Sequence, residues 1–194
     1  MVQPKQDRRS QRTQQTLIEA LLALLAVKHY DEISVNDIIE HANVGRSTFY
    51  AHYQDKDDLL KSGFERVLGM LIQQIRLGEA NEGLRLDTTP LFHHAQGHYE
   101  LYRTLAWGSG FELLTRDGHA ALSTKFQESF ARLGQGSPKP SIPLDILSYA
   151  MAGTLLILLK WWLDHKMPHS PEYMDEIFQK LIMSNAKNIL INDR

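Results

Sequence analysis

The sequence predicts an all-α protein, with an N-terminal three-helix helix-turn-helix domain and a larger helical C-terminal domain. Apolar residues recur at helical spacing in several segments, strand-like alternation is weak, and glycine- or proline-containing stretches separate these segments. The chain has 194 residues, of which 43% are hydrophobic, so it can bury a sizeable core. We expect the N-terminal domain to comprise residues 1–56 and the C-terminal domain residues 57–194.

The first two predicted helices have clear apolar faces. The first helix covers about residues 10–28, and the residues that form its apolar face are Leu17, Leu21, Leu24 and Leu25. The second helix covers about residues 35–42. Ser34 is the expected N-cap of this second helix, and Asp37 follows three residues later, as in a capping box.

A tight turn connects the second helix to a short third helix. Asn43 and Gly45 lie in this turn, and both residue types tolerate a left-handed backbone. The third helix covers about residues 46–53. A fourth helix begins after Asp55, which is a good N-cap, and continues to about Leu77.

The C-terminal part is predicted to consist of long helices. Two stretches that contain glycine and polar residues, 78–89 and 134–143, are predicted to break the helical pattern. The predicted helices cover about residues 90–107, 110–133, 144–165 and 170–191. The most apolar stretch, residues 146–159, is shorter than the roughly 20 residues that span a bilayer. We therefore expect a buried helix there and no membrane partner.

Charge is unevenly distributed along the chain. The formal net charge is −2, but the N-terminal stretch carries the basic residues Lys5, Arg8, Arg9 and Arg12. Such a segment either contacts phosphates or solubilises the chain, and the sequence leaves both interpretations open. The chain has no cysteine, and its N-terminus lacks the apolar region of a secretory signal, so we predict a cytoplasmic location.

Residues 34–56 have the organisation of a helix-turn-helix, in which the second helix of the pair lies in the major groove of DNA. Phe49 and Tyr53 are four residues apart, so they lie on one side of the third helix and are predicted to pack in the core. The predicted DNA-facing residues are Arg46, Ser47, Thr48, Tyr50, Ala51, His52 and Lys56. Aromatic residues at this spacing also occur in ordinary cores, so spacing alone leaves the DNA-reading role open.

The stretch of residues 13–60 resembles the DNA-binding domain of the TetR family of bacterial regulators. The resemblance rests mainly on the Thr-Phe-Tyr-x-His-Tyr-x-x-Lys pattern at residues 48–56 and on its spacing from the preceding helices. It implies a homodimer that binds a palindromic operator in double-stranded DNA, in most members as a repressor that a small ligand releases. It also implies DNA contacts by Ser34 and Asn36 at the start of the second helix.

Residues 152–172 resemble one C-terminal subtype of the same family. This resemblance implies that the last two long helices pair with their copies in a four-helix dimer interface, although a purely intramolecular core stays possible. The candidate interface residues are Leu155, Leu158, Trp162, Ile177 and Leu181. The candidate residues of a ligand pocket are Tyr99, Tyr102, Trp107, Phe111 and Trp161, although aromatic residues at such positions more often fill an ordinary core.

Other classes of function find little support in the sequence. His94 and His98 are four residues apart, but one histidine pair is too small a donor set, so we predict no metal and no cofactor. The chain has no glycine-rich phosphate loop and no nucleophile elbow, so we do not expect an enzyme. The predicted function is sequence-specific DNA-binding transcriptional regulation. The alternative is a regulator-like coactivator that works through a protein partner.

Overall fold

The computed structural model describes residues 5–80, 83–106, 109–133 and 140–183. These residues are mostly helical, and the predicted all-α class is confirmed. In chain order the helices are α1 (Lys5–Leu25), α2 (Val35–Ala42), α3 (Arg46–Tyr50), α4 (Lys56–Gln74), α5 (Thr89–Gly97), α6 (Tyr99–Ala106), α7 (Ser109–Leu133), α8 (Leu144–Asp164) and α9 (Pro171–Phe178). A 3-10 turn at Tyr30–Glu32 lies between α1 and α2, and a π-helical turn at Gln179–Met183 follows α9.

Helix α1 begins earlier than the sequence predicts. It starts at Lys5 rather than near residue 10, so the basic N-terminal residues belong to the helix. The stretch before residue 10 contains lysine, glutamine and arginine, all of which have good helix propensity, and no glycine or proline interrupts it. Arg8, Arg9 and Arg12 are therefore presented from a regular scaffold.

The predicted break at residues 78–89 contains a small β-hairpin. Strand β1 (Leu77–Ala80) pairs antiparallel with β2 (Gly83–Leu86), with Leu77 opposite Leu86 and Ala80 opposite Gly83. Two four-residue strands carry too little alternation for a sequence pattern to distinguish them from a polar loop.

The predicted helix at residues 90–107 is divided in two. Helix α5 ends at Gly97, and His98 leaves the helical conformation with φ −123° and ψ 31° before α6 begins. Glycine has a low helix propensity, so Gly97 favours an end of the helix at this point. The last predicted helix, residues 170–191, becomes π-helical after Phe178, and its end lies outside the described residues.

The first of two compact units comprises Met1–Arg66 and Glu100–Leu114. Its core collects fully or nearly fully buried side chains from α1, α3 and α4, among them Leu17, Phe49 and Leu59. Side chains from α6 and α7 belong to the same core. Each large apolar side chain buried in this way contributes roughly 1.5–3 kcal/mol to folding. The helix-turn-helix is thus stabilised by two separate stretches of the chain.

The second compact unit comprises Val67–Tyr99 and Thr115–Arg194. In its core, Phe92 of α5 packs edge-on against Trp162 of α8 with ring centroids 5.5 Å apart, and neither side chain is exposed. The Trp162 indole N–H donates to the carbonyl of His169 at 2.9 Å, which satisfies its polar atom inside the core.

A buried carboxylate ties the hairpin to α9 within this second unit. Asp175 is completely buried and accepts hydrogen bonds from the Arg85 guanidinium, from the backbone and hydroxyl of Thr88, and from the Gln179 amide. The Gln179 amide also exchanges two hydrogen bonds with the backbone of Leu86. A buried carboxylate is tolerated only where donors of this kind surround it, so these bonds fix the place of the hairpin.

Candidate nucleic-acid interface

Helix α2 begins with the predicted capping box. The backbone N–H of Asp37 donates to the Ser34 hydroxyl at 3.2 Å, and the backbone N–H of Ser34 donates to the Asp37 carboxylate at 2.8 Å. The Ser34 hydroxyl also donates to the Asp37 carboxylate, which holds the pKa of that carboxyl well below its usual range, helped by Lys28 at 3.1 Å. The capping prediction is confirmed, and the start of α2 is rigidly defined.

In the turn between α2 and α3, only one of the two residues that tolerate a left-handed backbone adopts that conformation. Asn43 is left-handed, with φ 51° and ψ 48°, and caps α2 through its backbone N–H. Gly45 is extended, with φ −73° and ψ 150°, and it is the N-cap residue of α3. A Cβ at Gly45 would lie 3.8 Å from the Thr48 hydroxyl, so the fold itself does not require glycine there.

Helix α3 ends at Tyr50 rather than near residue 53, but the predicted apolar side of residues 46–53 is buried. Phe49 is not exposed at all and Tyr53 is 5% exposed, with their ring centroids 6.0 Å apart. Both residues belong to the core of the first unit. Their burial fixes the rotation of α3 about its own axis and so determines which side chains face solvent.

The opposite face of α3 is exposed and carries small or polar side chains. Arg46, Ser47 and Ala51 are exposed, and the ring of Tyr50 is 51% exposed. Thr48 and His52 are half-buried at the edges of this face. On α2, Ser34 and Asn36 are exposed. All nine predicted DNA-facing residues are thus exposed or half-buried; eight belong to α2, α3 and the residues next to them, and the ninth, Lys56, begins α4.

Lys56 has an internal set of contacts. Its ammonium group donates to the carbonyls of Tyr30 and Ile33, both at 2.9 Å, and lies 4.5 Å from the centre of the Tyr30 ring. These bonds tie the start of α4 to the connection between α1 and α2. An ammonium group has three N–H donors, and these two hydrogen bonds use two of them. The third N–H is the donor for the predicted contact of Lys56 with a phosphate, which stays a prediction.

The predicted pocket residues fall in both compact units. Tyr102 and Phe111 are half-buried in the first unit, and burial raises the pKa of the Tyr102 hydroxyl to about 12. Tyr99 is half-buried in the second unit. Trp161 is 40% exposed and stacks on His165, and its place in a pocket stays a prediction. The remaining predicted pocket residue, Trp107, lies outside the described residues.

The predicted dimer residues of α8 include two that the structure contradicts. Leu155 is 1% exposed and Trp162 is 0% exposed within a single chain, so they cannot be reached by a partner. Leu158 and Ile177 are half-buried, and Leu181 is 53% exposed. The prediction failed for Leu155 and Trp162 because α8 is apolar on nearly every side, which leaves its buried face undetermined by periodicity.

A different face of α8 is exposed. Ile146, Tyr149, Ile157 and Trp161 are 59%, 65%, 70% and 40% exposed, respectively. At about 100° per residue these four side chains lie within one third of the helix circumference, opposite Leu155 and Trp162. Helix α8 is also long and apolar enough to cross a membrane, a test that core helices of water-soluble proteins pass as well.

The histidines do not assemble a metal site among the described residues. His94 and His98 have ring centroids 4.3 Å apart, and burial lowers the pKa of His94 to about 4. His93 pairs with Glu172 at 2.8 Å instead of joining them. No group of three or more metal-ligating side chains is found in the described part of the chain.

Two family models match the sequence. Residues 17–62 match the model of bacterial regulatory proteins of the tetR family, and residues 87–184 match the model of a transcriptional regulator C-terminal region. The first match contains α2, α3 and the exposed face described above. The second covers about half of the chain.

Individual relatives agree with these matches. The chain is 36% identical over 75 residues to the HTH-type transcriptional regulator YxbF of Bacillus subtilis, which is 38% of this chain and 20% of that protein. It is 37% identical over 60 residues to the dhaKLM operon transcriptional activator DhaS of Lactococcus lactis, which is 31% of this chain and 32% of that protein. The aligned segments thus span a third or less of the length of these curated relatives.

A solved TetR regulator from Streptococcus agalactiae is 26% identical, with a TM-score of 0.57 over 91% of this chain and 97% of that chain. A solved structure of the dihydroxyacetone kinase operon activator DhaS has the same fold, with a TM-score of 0.65 at 18% identity over 91% of this chain and 97% of that chain. The N-terminal match, the C-terminal match and the shared fold lead to one conclusion: the chain belongs to the TetR family of bacterial transcriptional regulators.

Proposed function

We propose that this protein is a sequence-specific DNA-binding transcriptional regulator that binds a palindromic operator as a cytoplasmic homodimer. The observation that carries the proposal is the division of α3 into two faces. Its apolar side, Phe49 with Tyr53, is buried, whereas Arg46, Ser47 and Tyr50 are exposed. A helix held in this way by its underside can enter the major groove without rearrangement.

The exposed residues of the two helices have distinct proposed roles. Arg46 makes a bidentate contact to a guanine, and the Ala51 methyl contacts a thymine methyl. Phosphate and sugar contacts come from the remaining members of the surface, which are Ser34, Asn36, Ser47, Thr48, Tyr50, His52 and Lys56. The exposed Arg8, Arg9 and Arg12 of α1 add positive charge to the same compact unit.

The homodimer is proposed to form through the exposed face of α8. The large side chains of Ile146, Tyr149, Ile157 and Trp161 lie on this one face of the helix. Exposed apolar patches of this kind mark protein interfaces, and a twofold dimer brings the same patch of two copies together. Regulators of this family act as dimers, which agrees with a second copy as the occupant.

The mode of regulation is proposed to be repression released by a small ligand that binds the C-terminal part. An in vitro transcription assay distinguishes repression from activation, because repression lowers the amount of transcript. Its template carries the operator that is identified by the duplex selection described below. A rise in transcript, as expected for an activator such as the relative DhaS, would contradict this mode. The alternative function, a coactivator that works through a protein partner instead of DNA, is not supported by any specific observation.

The proposal is tested by selecting bound duplexes from a random DNA pool at two salt concentrations. We expect an enriched inverted repeat and an affinity that falls as the salt concentration rises, because phosphate contacts release counterions. Tyr50→Ala is the matched control, since its ring is exposed and its removal should weaken binding without unfolding the protein. No enrichment with folded, dimeric protein would overturn the proposal.

A further inference from the structure

Residues 100–106 of α6 and residues 109–114 of α7, here called the α6–α7 corner, belong to the same compact unit as the helix-turn-helix. Residues Glu100–Leu114 cluster with Met1–Arg66 although they come from the C-terminal half of the chain. Leu105 is 2% exposed and Leu114 is 5% exposed, and both lie in the core that also contains Phe49 of α3. The α6–α7 corner therefore contributes to the hydrophobic core that also holds α3.

Gly110, in the first turn of α7, has a close packing contact with the 3-10 turn. A Cβ at this position would lie 3.1 Å from two ring carbons of Tyr30 and 2.8 Å from the Cδ2 atom of Leu105. The Tyr30 side chain is 1% exposed, so the ring has little room to move away. Only glycine lets α7 approach the turn this closely.

A carboxylate caps α7 from the same turn. Asp31 accepts a hydrogen bond from the Ser109 hydroxyl at 2.5 Å and another from the Ser109 backbone N–H at 3.3 Å. These bonds hold the pKa of the Asp31 carboxyl below its usual value. A negative charge at a helix N-terminus is favourable, so Asp31 and the first residue of α7 stabilise each other.

The 3-10 turn is in direct connection with the start of α2. The Lys56 ammonium group donates to the carbonyls of Tyr30 and Ile33, and Ile33 immediately precedes the N-cap Ser34. The Tyr30 hydroxyl donates to Asp57 at 2.5 Å. The residues contacted by Ser109 and Gly110 thus set the point at which the helix-turn-helix begins.

We propose that Asp31, Ser109 and Gly110 are positioning residues for DNA recognition, which fix the 3-10 turn and through it the orientation of α2 and α3. None of the three belongs to the proposed DNA-contacting surface. The expected effect of these residues on operator binding rests on the proposed function. Their expected effect on the position of α2 and α3 does not depend on DNA. Through Ser109 and Gly110, the α6–α7 corner has a direct influence on the recognition helix.

The first test measures amide hydrogen exchange in the full-length protein without DNA. In Ser109→Ala and Gly110→Ala we expect exchange within residues 34–53 to become about 5–10 times faster, while residues 144–163 are unchanged. Ser109→Thr, which keeps the hydroxyl, should restore the slow exchange. Gly69→Ala is the matched glycine control, because a Cβ there meets nothing within 4 Å. Unchanged exchange in residues 34–53, or equal acceleration in both regions, would overturn the proposal.

The second test measures binding to the selected operator and to a random duplex. In Ser109→Ala we expect the operator affinity to fall about fivefold while random-duplex affinity is kept, because the basic surface is intact and only its orientation changes. Equal losses on both duplexes, or no loss on either, would overturn the positioning role. If the wild-type protein prefers no duplex, the proposed function fails, and the exchange experiment alone decides whether the corner positions α3.

Discussion

Helices α3 and α8 each bury one face and expose the other, but the exposed faces differ in chemistry. In α3 the exposed side carries Arg46, Ser47 and Tyr50, whereas in α8 it carries Ile146, Ile157 and Trp161. The buried faces of both helices are mainly apolar and indicate only that each helix belongs to a core. The exposed face distinguishes a surface suited to nucleic acid from one suited to a second protein.

The largest effect is expected where the buried face of α3 is removed. Phe49→Ala deletes a fully buried ring from the core of the first unit, and such a cavity costs about 3–5 kcal/mol. Urea unfolding followed by circular dichroism measures this loss. Tyr50→Ala removes a ring that is 51% exposed and packs edge-on against Phe49, so it should cost only about 1 kcal/mol. Similar losses for the two variants would show that α3 is not divided into the two faces described.

A charge on the exposed face of α8 should break the dimer. Ile157→Glu places a carboxylate in the proposed interface, and we expect the dimer to weaken by about 2–4 kcal/mol while each protomer stays folded. Sedimentation at several protein concentrations measures this change. Val27→Glu is the control, since Val27 is an equally exposed apolar residue in the first unit, at 77%. A dimer that survives Ile157→Glu would remove α8 from the interface.

The sequence could predict the burial pattern of the helix-turn-helix better than that of α8 because its signals are local. The capping box of Ser34 and Asp37 and the pair Phe49 and Tyr53 each span only three or four residues, and the structure confirms them. In α8 the apolar residues surround the helix, so periodicity could not tell Leu155 from Ile157. The contact between Asp31 and Ser109 joins residues that are 78 positions apart, so no local sequence pattern could predict it.

Removing the guanidinium of α3 should affect recognition more than stability. Arg46→Ala is expected to weaken operator binding by about 1–3 kcal/mol and to relax the preference at one base pair of each half-site. Tyr50→Ala should instead weaken binding to all duplexes similarly, since its proposed contact is to the backbone. Repeating the duplex selection with each variant separates these effects. An unchanged base preference in Arg46→Ala would move the recognition role to other residues of α3.

The capping box predicts a pH effect on the helix that precedes α3. The folded-state pKa of Asp37 lies below its ordinary value of 3.8, so its contribution to stability is present above that pH and is lost as the pH falls further. Asp37→Asn should therefore be less stable than wild type at pH 7, and the difference should shrink below about pH 4. Urea unfolding across this range measures it. A difference that is constant with pH would mean that the charge of Asp37 does not contribute.

The smallest effect concerns the way in which each helix ends. Helix α2 leaves through Asn43, a residue type that tolerates the left-handed backbone, whereas α8 leaves through Lys166 and Met167, with φ 60° and 53°. Met167→Gly removes the clash of a left-handed Cβ but adds chain entropy to the unfolded state, so we expect a net gain of about 0.5 kcal/mol. Asn43→Gly should gain less, because asparagine already accepts this conformation. Thermal unfolding compares the two variants, and a loss in Met167→Gly would mean that contacts of its side chain outweigh the relief of backbone strain.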